Sequence, residues 1–323
     1  MDDAPSTTPN VTGMSRVPSR AALVGNPSDN HGGAVLGLAL SSIAATVRVV
    51  NRSSRPSLDP ELMILLDAAR AVAIDAGWPV PDDLDWFVDT NIPREVGLSG
   101  SSAIVLGAVE SLARLVGAEF VPEVLAAMAL SAEVDVLGWA AGLQDRVLQA
   151  LDRPLLMDFA PGLMVDVDGW PVGRYTPVDP GLMPPLVFVA YSTGLSERSD
   201  ARLRRQGAPA YRVQAVMDDS ARLARSSLAY LKAGDLGSFG EAMRGSFRNR
   251  CAVFGVRPEQ IALVETYEAI EGIAANSAGS GGSIVGAAVA GDPVDSLSAV
   301  RRVAADNGHG VVVWSPTPGS GPT

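Results

Sequence analysis

Apolar residues recur at helical spacing over Pro60–Ala76, where Leu62, Leu65, Leu66, Ala69 and Val72 define one face. The same period predicts a helix from Ala103 to about Val116. It predicts another over Pro122–Val136, with Leu125, Met128, Ala129, Ala132 and Val136 on one side. Short apolar runs at Ala21–Val24, Ala34–Leu40 and Trp86–Val88 predict buried strands and Thr46–Val50 continues as another, so strands and helices alternate as in mixed α/β layers. After the Pro-rich run Pro177–Pro185 the pattern predicts a strand over Leu186–Ala190 and helices over Val213–Lys232, Leu236–Phe247 and Pro258–Ala274. A Gly-rich loop, a strand over Ser283–Val289, a helix over Ser296–Asn307 and a strand over Gly310–Trp314 follow. The Ser-, Thr- and Pro-rich residues 1–18 predict a disordered leader and residues 315–323 a flexible tail. The expectation is thus two domains, 19–182 and 183–314.

Composition narrows the function classes. The 323 residues carry a net charge of −11 and an isoelectric point near 4.7, which repel nucleic acid and anionic membranes. A single cysteine, Cys251, excludes an internal disulfide framework and a Cys-based zinc site, and His31 and His309 are too few for a His-rich metal centre. The uncharged stretches Gly32–Val47 and Gly272–Gly291 are dominated by Gly, Ala and Ser rather than by membrane-spanning residues. With no signal-peptide core at the start, the expected compartment is the cytoplasm.

Chemistry concentrates in Val96-Gly97-Leu98-Ser99-Gly100-Ser101-Ser102-Ala103, which places two glycines and three serines directly ahead of an apolar helix. Unpaired N–H groups and the positive end of the helix dipole favour an anion there. Glycine lets the backbone approach phosphate oxygens, and a serine hydroxyl binds phosphate or its Mg²⁺. The loop suits ATP, although it lacks the Walker lysine and a plain helix cap is the alternative. Asp29 and Asn30, in the turn Gly25–Gly33, either close a hairpin or present polar groups to a ligand; His31 reads as structural. Glu133 beside its apolar stripe is a solvated or paired carboxylate or a magnesium ligand. Asp145, followed by Arg146 among small and apolar residues, is a base or orienter for a hydroxyl or one half of an ion pair within the helix.

Together, Arg20 through Gly33, Pro93 through Ala103, Gly142-Leu143-Gln144-Asp145-Arg146 and Gly279-Ser280-Gly281-Gly282 follow the order of the three signature motifs of the GHMP small-molecule kinases. The chain resembles that superfamily over almost its whole length. Within it, Gly25–Asp29, Ile92–Ala103 and Ala141–Val147 are most similar to the glucuronokinase group, which phosphorylates D-glucuronate at its anomeric hydroxyl. Tyr191–Glu197, Ser246–Arg250 and Phe254-Gly255 agree.

The resemblance implies an α+β, GHMP kinase-like two-domain fold. Its N-terminal α/β domain would contain a left-handed βαβ unit, its C-terminal domain would be ferredoxin-like, and the site would lie between them. It implies ATP and Mg²⁺ as cofactors. Gly97, Leu98, Ser99, Gly100, Ser101, Ser102 and Ala103 would hold the nucleotide, Ser102 and Glu133 the Mg²⁺. Asp145 falls on the catalytic carboxylate and Arg20 on a cation near the transferred group, while Asp29, Asn30 and Gly281 fall on the substrate side. A uronic acid would need a cation for its carboxylate; Arg198, Arg202, Arg204, Arg205 and Arg250 are available, and Arg250 is the one in the glucuronokinase-like segment. Two residues depart from the pattern: Asn276, where relatives commonly place Lys, and Ser246, where the nearest group has Asn. The implied partners are ATP and a sugar or sugar acid, with a monomer or homodimer expected. The alternatives are a kinase for another sugar or sugar phosphate, galactose-like or a heptose phosphate, and an inactive binding protein on the same fold. A serine hydrolase is disfavoured by the absence of Gly-x-Ser-x-Gly and by the placement of both histidines.

Overall fold

The computed structural model describes residues 12–51, 58–195 and 208–316. Its first sheet is built on β2 (Ala34–Asn51), which is apolar along most of its length and buried on both sides. Along one edge β2 pairs antiparallel with β1 (Thr12–Val24). Its other neighbours are β3 (Leu84–Thr90), opposite Ala45–Asn51, and β4 (Leu155–Asp158), opposite Ala34–Gly37. β4 pairs in turn with β7 (Arg174–Pro177), and β5 (Val165–Val167) with β6 (Trp170–Val172) forms a small hairpin outside this sheet. Since β3 and β4 each run antiparallel to β2, they run parallel to one another, and the chain between them forms a βαβ crossover.

That crossover holds α2 (Gly100–Val116), α3 (Pro122–Ser131) and α4 (Gln144–Leu151), with α1 (Pro60–Asp75) packed on α2. Twelve residues of α2 are buried, and Gly117 ends the helix in the left-handed conformation. The helix expected over Pro122–Val136 stops at Ser131 and continues as one π-helical turn, Ala132–Val136. Such a turn re-aims side chains at functional sites, and here it turns Glu133 into the interior.

The leader expected over residues 1–18 is corrected from Thr12 onward, because those residues form the start of β1. Gly13, Ser15 and Val17 face inward. Ser15 donates to Glu110 of α2, and a side chain at position 13 would overlap the Ser111 carbonyl. Small and polar residues are what let α2 lie this close to the strand, and the same residue types read as disorder in sequence. Residues 1–11 lie outside the described residues.

The second sheet has the order β11-β8-β10-β9: β8 (Val187–Tyr191), β9 (Ile273–Ser277), β10 (Ser283–Ala288) and β11 (Gly310–Val313), all antiparallel. With α5 (Ala210–Ala233), α6 (Leu236–Val253) and α7 (Pro258–Glu268) between β8 and β9, and α8 (Pro293–Asn307) between β10 and β11, this is the expected ferredoxin-like arrangement. The helix expected over Pro258–Ala274 ends at Glu268. Gly272, at φ +77°, breaks the chain before Ile273 and Ala274 enter β9. One continuous core joins both sheets, running from Val17 and Leu38 to Val189, Ala274 and Val285. α5 packs on β2 and β1, and the Arg225–Asp158 ion pair, at 2.6 and 2.8 Å, ties it to β4. Among the described residues no helix is long and apolar enough to cross a membrane.

Candidate active site

The end of β1 delivers Arg20, 3% exposed, beneath the Gly/Ser loop. Its guanidinium binds Asp145 through Nε to Oδ1 and Nη2 to Oδ2, each at 2.6 Å, while Nη1 donates to the carbonyls of Gly97 at 3.0 Å and Ala278 at 2.9 Å. Ser99 Oγ adds a third bond to Asp145, donating to Oδ2 at 2.6 Å. The Asp145 side chain is nevertheless 17% exposed against 4% for Arg20, so the carboxylate is held from below and reachable from above. The in-helix pairing of Asp145 with Arg146 is present only as a long contact, Nη1 lying 3.9 Å from Oδ2, and the guanidinium pairs more closely with Glu133.

The Gly/Ser loop ahead of α2 is built for close approach. Gly97 is at φ +84° and Ser99 at φ +56°, and Ser99 caps α2 with its backbone while its hydroxyl is committed to Asp145. The first amides of α2 therefore receive no side-chain cap, which leaves them for an anion. Gly281 and Gly279 of the third Gly-rich segment pack backbone to backbone on this loop: a Cβ at Gly281 would overlap Val96 and Gly97, and one at Gly279 the Gly97 carbonyl and Arg20. Ser19 Oγ donates to the Leu98 carbonyl at 2.7 Å, and Gln149 Nε2 to the carbonyls of Pro18 and Ser99 at 3.0 Å each. Gly281 is thus a packing partner of the loop. Ser102 is buried in the first turn of α2, whereas Ser101 is exposed.

Glu133 Oε2 forms an ion pair with Arg146, each side chain 3% exposed, and Arg146 Nη1 also donates to the Gly142 carbonyl at 2.6 Å. Glu133 Oε1 is buried without a hydrogen-bond partner. The turn carrying Glu133 packs against α2, the helix of Ser102. An orphaned carboxylate oxygen and a buried hydroxyl are the hard oxygen donors that Mg²⁺ takes, so these residues fit the ion. Burial and the charge of Arg20 lower the Arg146 pKa to about 9, so it is a cation at neutral pH.

Asp29 sits in a short 3₁₀ turn, Ser28–His31, with both carboxylate oxygens buried and without a well-formed hydrogen bond. A Cβ at Gly142 would overlap Asp29 Oδ2 and Asn30 Oδ1, so the glycine is what lets α4 approach this carboxylate. Burial, then the charge of Asp145, raises the Asp29 pKa to about 7; the amides of Gln144 and Asn30 and the charge of Arg146 oppose the rise. Asn30 itself is exposed. Arg250, 5% exposed, faces the same region from α6, while Arg198, Arg202, Arg204 and Arg205 lie outside the described residues.

Gln149 is a contributor that the sequence does not single out, and the contacts made by Ser99, Gln144 and Arg146 differ from what their motifs suggest. Ser99 and Gln149 brace the loop, Gln144 Nε2 donates to Asn26 Oδ1 at 2.7 Å, and Arg146 holds Glu133. The two departures from the family pattern both have structural work: Asn276 Nδ2 donates to the Leu23 carbonyl at 2.9 Å, and Ser246 Oγ accepts the Gly25 N–H at 2.9 Å. They clasp the second half of the chain to the end of β1.

Residues 63–153 match the family model described as the GHMP kinases N terminal domain. The chain is 37% identical over 205 residues to probable glucuronokinase 2 of Arabidopsis thaliana, a match covering 61% of this chain and 55% of that protein. It is 35% identical over 210 residues to glucuronokinase 1 of the same organism, with the same coverage. The matched segment thus spans about half the length of these curated relatives. Among solved structures, Lactococcus lactis galactokinase complexed with galactose has a TM-score of 0.72 at 17% identity, covering 94% of this chain and 92% of that one. Streptococcus pneumoniae phosphomevalonate kinase in complex with phosphomevalonate and AMPPNP has a TM-score of 0.73 at 14% identity, covering 93% of this chain and 98% of that one. At such identities the likeness shows the fold, which is that of the GHMP kinases.

Proposed function

From a chain that carries the GHMP kinases' N-terminal domain on their fold, we propose an ATP-dependent sugar kinase that phosphorylates the anomeric hydroxyl of D-glucuronate, giving glucuronate 1-phosphate. The observation that carries this reading is Asp145, fixed through both oxygens by Arg20 and Ser99 directly beneath the phosphate loop, with one side open.

ATP bound with Mg²⁺ would supply the γ-phosphoryl group. The uncapped amides of α2 and the loop Gly97–Ala103 bind phosphate oxygens, and Ser102 and Glu133 hold the ion. Asp145 accepts a hydrogen bond from the acceptor hydroxyl and orients its oxygen in line with the phosphorus. As the new P–O bond forms and the bond to the ADP leaving group breaks, the hydroxyl proton passes to Asp145. Phosphoryl transfer goes through a loose transition state, so placement and charge stabilisation matter more than a strong base, and a carboxylate held by an arginine suits that task. Asp29 accepts from a sugar hydroxyl. We place the boundary between the two domains near residue 182, in the short turn Pro180–Leu182.

The reading is tested by ADP release with ATP–Mg²⁺ against glucuronate, galacturonate, glucose, galactose and a heptose 7-phosphate. Glucuronate should give the highest kcat/KM, and phosphate at the anomeric carbon is read by ³¹P NMR. Release with none of them would reject the kinase, and a preference for another acceptor would reject glucuronate.

A further inference from the structure

Three arginines are buried around the neighbouring carboxylates Asp29 and Asp145: Arg20, Arg146 and Arg250, at 3%, 3% and 5% exposure. Two are committed. Arg20 holds Asp145 and Arg146 holds Glu133. Arg250 is different: its Nε and Nη1 are buried without hydrogen-bond partners, and among the described residues it has no ion pair. A desolvated guanidinium without an anion costs several kcal/mol, so a fold that keeps one has left it for something that arrives later.

Its placement shows where that something would lie. Arg250 follows Ser246 by one helical turn on α6, so the two side chains share a face. Ser246 takes the Gly25 N–H, which sets this face against the turn that carries Asp29. Arg250 lies within reach of the charges of Asp29 and Arg20. Burial lowers its pKa to about 10, with Cys251 and then Asp29 opposing the fall and Arg20 adding to it, so the side chain is cationic at neutral pH.

We propose that Arg250 is the specificity-determining residue of the acceptor site, and that it recognises a carboxylate on the sugar. The proposal rests on the kinase reading above. A carboxylate suits the position better than a phosphate, since a second negative charge would add to the field of Asp29, whose charge Arg250 feels. Asp29 then takes a neighbouring hydroxyl, so one side of the pocket reads charge and the other reads the ring.

The test uses the full chain as wild type, Arg250→Met and Arg250→Lys. Calorimetry measures binding of glucuronate, glucose and glucose 6-phosphate in the presence of AMPPNP and Mg²⁺, and ADP release gives kcat and KM separately. Wild type should bind glucuronate at least tenfold more tightly than the other two. In Arg250→Met the ratio of kcat/KM for glucuronate over glucose should fall roughly tenfold or more, mainly through KM, with Arg250→Lys in between. Circular dichroism and AMPPNP affinity confirm that each variant is folded. If Arg250→Met does not fold, the Lys variant decides, because a charge on a shorter, non-planar head should still weaken glucuronate binding measurably. An unchanged ratio in a folded variant overturns the proposal, and tighter wild-type binding of glucose 6-phosphate overturns the choice of carboxylate. Glucuronate that binds through Arg250 without ADP release would sink the kinase reading alone, whereas wild type that phosphorylates glucose and glucuronate equally would sink Arg250 and the choice of glucuronate and leave the kinase standing.

Discussion

Arg20 grips Asp145 through both carboxylate oxygens, and the same guanidinium reaches the carbonyls of Gly97 and Ala278. One side chain from β1 thereby joins α4, the phosphate loop and the third Gly-rich segment. Arg20→Met should cost on the order of 3–5 kcal/mol in chemical denaturation, because it leaves a partly buried carboxylate and two carbonyls without their donor. Arg20→Lys should recover part of the stability but not the bidentate geometry. A Met variant as stable as wild type would mean that the site holds together without its hub.

Asp145→Asn keeps the side-chain volume and removes the charge. Turnover should fall by roughly 10²–10⁴-fold while AMPPNP affinity stays within a few-fold, since Asp145 touches no predicted nucleotide contact other than Ser99. Near-normal turnover would remove Asp145 from the chemistry.

The residues that could be read from sequence were those whose chemistry is local. The phosphate loop announces itself by composition, and α1, α2 and α8 by apolar period. Partner choice was hidden, because Arg20 and Asp145 are separated by 125 positions, and Asp145 has an arginine as its immediate neighbour that instead pairs more closely with Glu133. The long strands were only partly legible: Pro18 and the polar Ser41-Ser42 interrupt runs that the sheet absorbs with a register shift at Pro18/Ser19. β4 is not legible because Leu155–Asp158 is too short to show a period. The end of α7 was missed because Ala-rich β9 looks helical once Gly272 is overlooked.

Glu133 pairs with Arg146, and in the proposed kinase it would also ligate Mg²⁺. Glu133→Gln should therefore lower stability and raise the Mg²⁺ concentration needed for half-maximal nucleotide binding. Ser102→Ala should shift the Mg²⁺ titration without the stability loss, because Ser102 balances no buried charge. If both variants bind nucleotide with an unchanged Mg²⁺ dependence, the ion is held elsewhere and Glu133 serves only Arg146.

Asp29 should make stability depend on pH. Its carboxyl is raised from 3.8 to about 7, chiefly by burial. In that window the folded protein keeps a proton that the unfolded chain has released, so this group's contribution is complete at low pH, declines as pH rises from about 4, and is gone above about 7. The groups facing it are Asp145, Arg146 and Arg250 and the amides of Gln144 and Asn30. Asp29→Asn preserves a neutral, hydrogen-bonding side chain at every pH and so removes the dependence. Melting curves of wild type and variant should lie close together near pH 4 and separate toward pH 8, with the variant more stable. The separation should be no more than about 4 kcal/mol, or several degrees in Tm. Taking the difference between the two proteins cancels the other carboxyls raised by burial, Glu110 and Asp152, which both share. Parallel curves from pH 4 to 8 would mean that Asp29 is ionised throughout and is balanced by the arginines around it.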